Sequence, residues 1–172
     1  DNTFAPWVGT LIADLKKPIL FIADEGKEEE VVIRLSRVGY DNTIGFLEGG
    51  FAAWQKAGEE VDTIEEVTAA EFAEQFDDIE NALDVRRASE YNAEHIKGLT
   101  NFPLDFINAK MNQLDRNKKY YLHCAGGYRS VIAASILKAR GFDHVVNVKG
   151  GYKALTETNL KRTEYVEQVT EL

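Results

Sequence analysis

Tyr120-Tyr121-Leu122-His123-Cys124-Ala125-Gly126-Gly127-Tyr128-Arg129-Ser130 decides the fold. A short apolar run ends in a cysteine, crosses a loop with two glycines and gives way to helical periodicity. That periodicity runs from Ser130 to Arg140, with Ile132, Ile136 and Leu137 on one face. Strand, tight loop and helix in this order open a β-α-β unit, and Val145 to Val148 supplies the next strand. At the carboxyl end of a parallel strand, Cys124 lies where open α/β sheets form their ligand crevice.

Working upstream, Thr68-Ala69-Ala70-Glu71 has the form of a capping box, with Thr68 as N-cap ahead of a helix through Phe76. Ala82 to Val85 reads as a strand, Ser89 to His95 as a short helix, Thr100 to Pro103 as an extended piece and Leu104 to Leu114 as a helix. The alternation predicts an α/β fold, a mainly parallel sheet covered by helices on both faces.

The pattern occurs twice. Arg37-Val38-Gly39-Tyr40-Asp41 matches Ala139-Arg140-Gly141-Phe142-Asp143, and Gly49-Gly50-Phe51 matches Gly150-Gly151-Tyr152. Pro18 to Ala23 likewise parallels Lys119 to His123. One complete unit is expected over residues 64–160, and a partial one lacking its N-terminal half over 1–60; either the chain is a fragment of a longer protein, the favoured reading, or the first unit is truncated. Gly58 to Glu66 is placed as the linker. Thr156 onward is poor in apolar residues and reads as a peripheral helix or a partly disordered stretch, with 161–172 set apart as a tail.

The 172 residues carry 20 Lys plus Arg against 29 Asp plus Glu, a net charge of −9. Such a molecule repels a phosphate backbone, so nucleic acid is not expected as a partner. No apolar run approaches the ~20 residues that cross a bilayer, so no membrane partner is expected either. With a single cysteine there is no internal disulfide, and a reducing, cytoplasmic setting is expected. His95, His123 and His144 are too scattered to hold a metal, and no cofactor is expected.

Cys124 is therefore read as a nucleophile. Gly126 and Gly127 permit positive φ, which would let the amides from Ala125 to Ser130 curl into an anion-binding nest at a helix start. A ring of N–H dipoles favours the thiolate, the reactive form. Arg129 is expected to pair with an anionic donor, whereas Asp84 and Arg86 are expected to brace the loop. His123 alternates with Cys124 along the strand and cannot readily form a dyad with it. Trp54 and Tyr152 are read as packing anchors, together with Phe46 and Phe51, and Glu28-Glu29-Glu30 as a solvated helix start.

Several ordered motifs carry a family resemblance. They are Leu83-Asp84-Val85-Arg86, Glu90-Tyr91 with Glu94-His95-Ile96-Lys97-Gly98, Asn101-Phe102-Pro103, the Cys124–Ser130 loop and Gly150-Gly151-Tyr152. Together they resemble the rhodanese domain of the sulfurtransferases, over roughly residues 64 to 157. The resemblance implies Cys124 as the persulfide-forming residue, with Ala125, Gly126, Gly127, Tyr128, Arg129 and Ser130 binding the substrate. It implies a small sulfur donor, thiosulfate or a low-molecular-weight persulfide, and a thiol or cyanide acceptor. A low-turnover persulfide carrier or docking module is the alternative, with a cysteine phosphatase or arsenate reductase behind it. Ile19 to Gly58 resembles only the back half of such a domain, including Leu47 to Trp54. The pairing is similar to the C-terminal part of metallo-β-lactamase-fold/rhodanese fusions, so a hydrolase-fold domain in cis is an expected partner. The first unit has Ala23 or Asp24 at the cysteine position and is expected to be catalytically dead.

Overall fold

A computed structural model describes residues 4–167. The chain divides into two compact units, Asp1–Asp62 and Thr63–Leu172.

In the second unit, the runs that read as buried strands form the middle of a five-stranded parallel sheet. The strands are β3 (Glu65–Val67), β4 (Ala82–Asp84), β5 (Thr100–Asn101), β6 (Tyr120–His123) and β7 (Val145–Val148), in the order β3-β7-β6-β4-β5. Every residue of β4, β6 and β7 is buried, as a parallel sheet covered on both faces requires. The chain leaves β4 toward one edge and β6 toward the other, so the carboxyl ends of these two neighbours flank the topological switch point.

The helices follow from local chemistry. Thr68 caps α4 (Ala69–Glu74) with the reciprocal bonds of a capping box, Glu71 N–H to Thr68 Oγ1 at 3.2 Å and Thr68 N–H to Glu71 Oε2 at 2.8 Å. One face of the sheet buries Phe72, Ala82, Ile96, Tyr121, Val146 and Val148, and α8 (Gly151–Leu155) adds Leu155 to that cluster. On the other side α7 (Tyr128–Lys138) packs against β6 and β7. Tyr121 belongs to the first face, so by alternation Leu122 and Cys124 turn toward the other.

Four expectations for the second unit need correction. The buried stripe of α7 is Ser130, Ala133, Ala134 and Leu137, not Ile132, Ile136 and Leu137. Small residues there let the helix approach the sheet, and the two isoleucines are only half-buried at its flank. The helix expected from Leu104 to Leu114 is broken into a 3-10 turn (Leu104–Phe106), one turn α6 (Ile107–Lys110) and another 3-10 turn (Met111–Gln113). Leu104 and Ile107 are its buried residues, and an i,i+3 spacing suits the 3-10 geometry. The expected linker ends in a strand, since β3 pairs with β7, and its Glu65 and Glu66 form ion pairs with Lys119 and Lys149 of 3.0 and 2.9 Å. The segment after Thr156 is not loose as far as it is described. Leu160 packs on the core, Lys97 N–H bonds Lys161 O, and Thr163 and Val166 donate to His95 O and Ala93 O beside α5 (Ala88–Ala93). Residues 168–172 of the expected tail lie outside the described residues.

The first unit holds α1 (Phe4–Leu11), β1 (Ile19–Phe21), α2 (Glu28–Ser36), β2 (Thr43–Phe46) and α3 (Gly50–Lys56), with β1 and β2 parallel. Glu28, Glu29 and Glu30 occupy the first turn of α2, where the helix dipole favours them. Its core is small: Ile19, Leu35 and Tyr40, with Phe4, Val8, Ile12, Val31 and Val38 against them. Phe46, Phe51 and Trp54, expected as packing anchors, are 48%, 53% and 39% exposed. A two-stranded sheet has too little surface to bury them; Phe46 merely stacks on Phe21 at 5.8 Å.

Packing should therefore be unequal. Phe72 is fully buried against Phe76 and Tyr121, and Phe72→Ala should cost about 3–5 kcal/mol of second-unit stability. Trp54→Ala should cost clearly less in the first unit. Denaturant titration followed separately for each unit checks this, and an equal or larger loss at Trp54 would contradict the burial argument.

Candidate active site

Cys124 follows β6 directly and is 1% exposed. Gly127 has φ 103° and serves as the N-cap of α7, so the chain reverses just after the cysteine and brings the first turn of the helix back over it. Its amide donates to Cys124 Sγ at 3.1 Å. Ser130 Oγ lies 3.5 Å from the same sulfur and 3.2 Å from Gly127 O, so one hydroxyl proton can serve either acceptor and turns to the sulfur when it is charged. Of the two glycines read as permitting a positive φ, Gly127 adopts one and Gly126 does not. Gly126 matters through its N–H.

Burial pushes the Cys124 thiol up. Hydrogen bonds from the Ser130 hydroxyl and from the amides of Ser130, Gly127 and Gly126 more than reverse this, so the thiol ionises below its ordinary value. Neutral dipoles do this, and Arg129, expected to assist, is not among the main causes. Its guanidinium is forked onto Glu90, Nη1 to Oε2 at 2.5 Å and Nη2 to Oε1 at 2.7 Å. Of the other loop residues, Ala125, Gly126 and Tyr128 are exposed, Tyr128 at 65%.

Asp84 and Arg86 sit beneath the loop. Arg86 donates to Asp84 through Nε and Nη2, at 2.9 and 2.6 Å to Oδ2, and also bonds Glu94 O. The Arg86 guanidinium lies 3.9 Å from the centre of the Tyr152 ring. Tyr152 N–H in turn donates to Cys124 O at 2.6 Å, and Tyr152 Oη donates to Glu94 Oε2 at 2.6 Å. Burial and the Glu94 carboxylate push the Tyr152 phenol up to about 12, so it remains a donor. A continuous set of contacts thus runs from Asp84 to the carbonyl of the nucleophile.

Gly151 completes the support, at φ 58° in the first turn of α8. A Cβ there would overlap Cys124 O and crowd Ala125 C and O, so α8 reaches the loop peptide only because this residue is glycine.

His123 and His95 meet backbone or a ring rather than the Cys124 sulfur. His123 is buried with Nδ1 at 3.1 Å from Cys124 O and Nε2 at 3.5 Å from Asp84 Oδ2. Burial pushes its pKa down despite Asp84, which leaves it neutral. His95 stacks on Tyr91 at 3.7 Å. Among the described residues, no group of His, Cys, Asp or Glu is placed to hold a metal ion, and no helix is long and apolar enough to cross a membrane.

Residues 68–158 match the model of the rhodanese-like domain, more than half of the sequence. The chain belongs to the rhodanese-like domain family. YrkF of Bacillus subtilis, named as a candidate sulfur carrier protein, is 35% identical over 104 residues, covering 59% of this chain and 56% of that one. The thiosulfate sulfurtransferase PspE of Escherichia coli is 32% identical over 84 residues, covering 48% of this chain and 80% of PspE. The crystal structure of a rhodanese-like domain protein from Staphylococcus aureus superposes with a TM-score of 0.52 at 31% identity, over 57% of this chain and 97% of that one. The chain thus spans only about half the length of YrkF. The similarity falls on the second unit.

Sequence reasoning did not place Glu90 or Gly151 at the rhodanese-like site. Glu90 carries a local signal, since it accepts the Arg87 N–H at 3.1 Å as the third residue of α5, but no spacing ties it to residue 129. Gly151 was visible only as half of a Gly-Gly pair.

Ser130→Ala should shift the pH profile of Cys124 alkylation by iodoacetamide upward, since it removes a donor to the thiolate. The thiolate's contribution to stability is present at high pH and lost as pH falls through the lowered pKa, so the variant should also flatten the stability rise in that window. An unchanged inflection would remove Ser130 from the thiolate's support. Gly151→Ala should cost about 1–3 kcal/mol by overpacking and slow alkylation by displacing the loop; normal melting and normal alkylation together would refute the close approach.

Proposed function

We propose that the rhodanese-like unit is a sulfurtransferase that carries sulfane sulfur as a persulfide on Cys124. The observation that supports the reading best is the thiol at the end of a buried parallel strand, surrounded by Gly126, Gly127 and Ser130 N–H groups and the Ser130 hydroxyl. The Cys124 thiolate attacks the outer sulfur of the donor. A new S–S bond forms as the donor's own bond to that sulfur breaks, and the departing group keeps the electron pair. Sulfite leaves from thiosulfate, and a thiolate from a low-molecular-weight persulfide. An acceptor thiolate or cyanide then attacks the terminal sulfur and returns the Cys124 thiolate, a ping-pong cycle that needs no external oxidant.

Loop size favours sulfur over phosphate. Only four residues separate Cys124 from Arg129, a ring suited to one terminal sulfur rather than to three phosphoryl oxygens. The name of PspE, a thiosulfate sulfurtransferase, agrees with this reading. A carrier with little turnover on small donors is the second reading, favoured by the 1% exposure of Cys124 and in keeping with the name of YrkF.

The first unit is proposed as a degenerate partial repeat. Its strand, helix, strand, helix order from β1 to α3 follows that of β6 to α8. A Cβ on Gly50 would stand 3.4 Å from Ala23 O, the counterpart of Gly151 against Cys124 O, so Ala23 takes the cysteine's place and no thiol is available.

Intact-mass spectrometry after exposure to thiosulfate and to glutathione persulfide tests the proposal. One sulfur atom should add to the wild type and none to Cys124→Ser, which should keep the fold. Steady-state turnover at the rate of single loading supports the transferase, and loading without turnover the carrier. Equal transfer by Cys124→Ser would defeat both.

A further inference from the structure

Arg129 is the one cation in the loop from Cys124 to Ser130, and its charge is already engaged. The two-point fork onto Glu90 is the geometry in which a guanidinium binds a carboxylate most firmly. The side chains are 17% and 35% exposed, so solvent screens the pair only in part. Glu90 is not free to swing away, because its Oε2 also accepts the Arg87 N–H at the start of α5. A dianionic donor that approaches the guanidinium meets a fixed carboxylate that already offsets its charge. That carboxylate adds to the general repulsion from a chain of net charge −9. Lys153 also touches the loop, through its N–H to Ala125 O, but its side chain is exposed and screened. What remains around Sγ is a set of neutral dipoles sufficient for one sulfur.

We infer that Glu90 is a specificity-determining residue, one that holds Arg129 away from the donor and so selects persulfides, R–S–SH, over sulfonate donors such as thiosulfate. The inference rests on the proposed persulfide chemistry of Cys124. In the favoured step, the Cys124 thiolate bonds to the outer sulfur of R–S–SH, the S–S bond of the donor breaks, and R–S⁻ leaves with the electron pair. The leaving thiolate carries one charge on its sulfur and calls for no second cation. Sulfite leaving from thiosulfate is a dianion and finds the guanidinium occupied.

The test is single-turnover loading of Cys124, read by intact mass, with glutathione persulfide and thiosulfate as the two probes. The wild type should load faster from the persulfide. Glu90→Gln keeps an acceptor for the Arg87 N–H while removing the charge, and should raise thiosulfate loading relative to persulfide loading by about tenfold or more, the factor a charge-assisted hydrogen bond contributes. A merely bracing Glu90 would change both rates together, and an unchanged ratio in the folded variant overturns the inference. A second readout uses the wild type alone, in case the variant does not fold. Added salt should speed thiosulfate loading by screening the repulsion, and salt that slows it would show Arg129 acting on the anion and overturn the inference. Loading from neither donor refutes the persulfide reading itself, and the inference with it.

Discussion

The site depends on how closely α8 approaches the peptide between Cys124 and Ala125. Tyr152 and Lys153 donate their N–H groups to the carbonyls of Cys124 and Ala125, and the missing Cβ of Gly151 lets them come that near. With both carbonyls held from the α8 side, the N–H groups that follow are free to turn toward Sγ. A residue with a side chain at 151 would push the helix back, and the loop would lose the support that fixes its amides. The pocket for a charged sulfur is thus built from a backbone contact on the far side of the loop.

Around this dipolar centre, formal charges are arranged in pairs that point elsewhere. Asp84 is spent on Arg86, Glu90 on Arg129, and Glu94 on Arg162 and the Tyr152 hydroxyl. Glu90 and Glu94 tie together segments far apart in sequence, whereas Asp84 and Arg86 are neighbours at the end of β4. A buried pair such as Asp84–Arg86 contributes little net stability, because desolvation offsets its attraction, but removing one partner leaves a costly orphan. The value of these pairs here is positional: they hold the loop without placing an uncompensated charge beside the nucleophile. Ionisation of the thiol is then favoured by hydrogen bonds that weaken little with salt, unlike a surface charge.

Legibility in the sequence followed how local the cause was. β6 and β7 run over the residues their apolar patterns indicated, because strands buried on both faces need an uninterrupted run. The Thr68 box was equally plain, since its partners lie three residues apart. The fit failed where tertiary contact decides. β3 has Val67 as its sole apolar residue and exists because β7 offers an open edge. α7 turns alanines rather than isoleucines inward, because closeness to the sheet outweighs side-chain size. At the site, the cysteine, the glycines and the helix start were readable in one stretch. The Glu90–Arg129 fork joins residues 39 positions apart and leaves no trace in spacing.

The two units show how little of the architecture the proposed chemistry requires, and how specific that little is. β1, α2, β2 and α3 have the order of β6, α7, β7 and α8, and each pair of strands is parallel. Even the close approach of glycine to a strand-end carbonyl recurs, Gly50 to Ala23 and Gly151 to Cys124, looser in the first case. The loops that follow the two strands differ. After Ala23 the chain runs through Asp24 and Glu25 into a helix whose first turn is Glu28, Glu29 and Glu30. Those glutamates suit the helix dipole and are sound as structure. They also occupy with fixed negative charge the end of the helix where an anion would have to bind. A helix start can serve its own carboxylates or another anion, and in α7, where the first turn is Tyr128, Arg129 and Ser130, it is left open to the Cys124 thiolate.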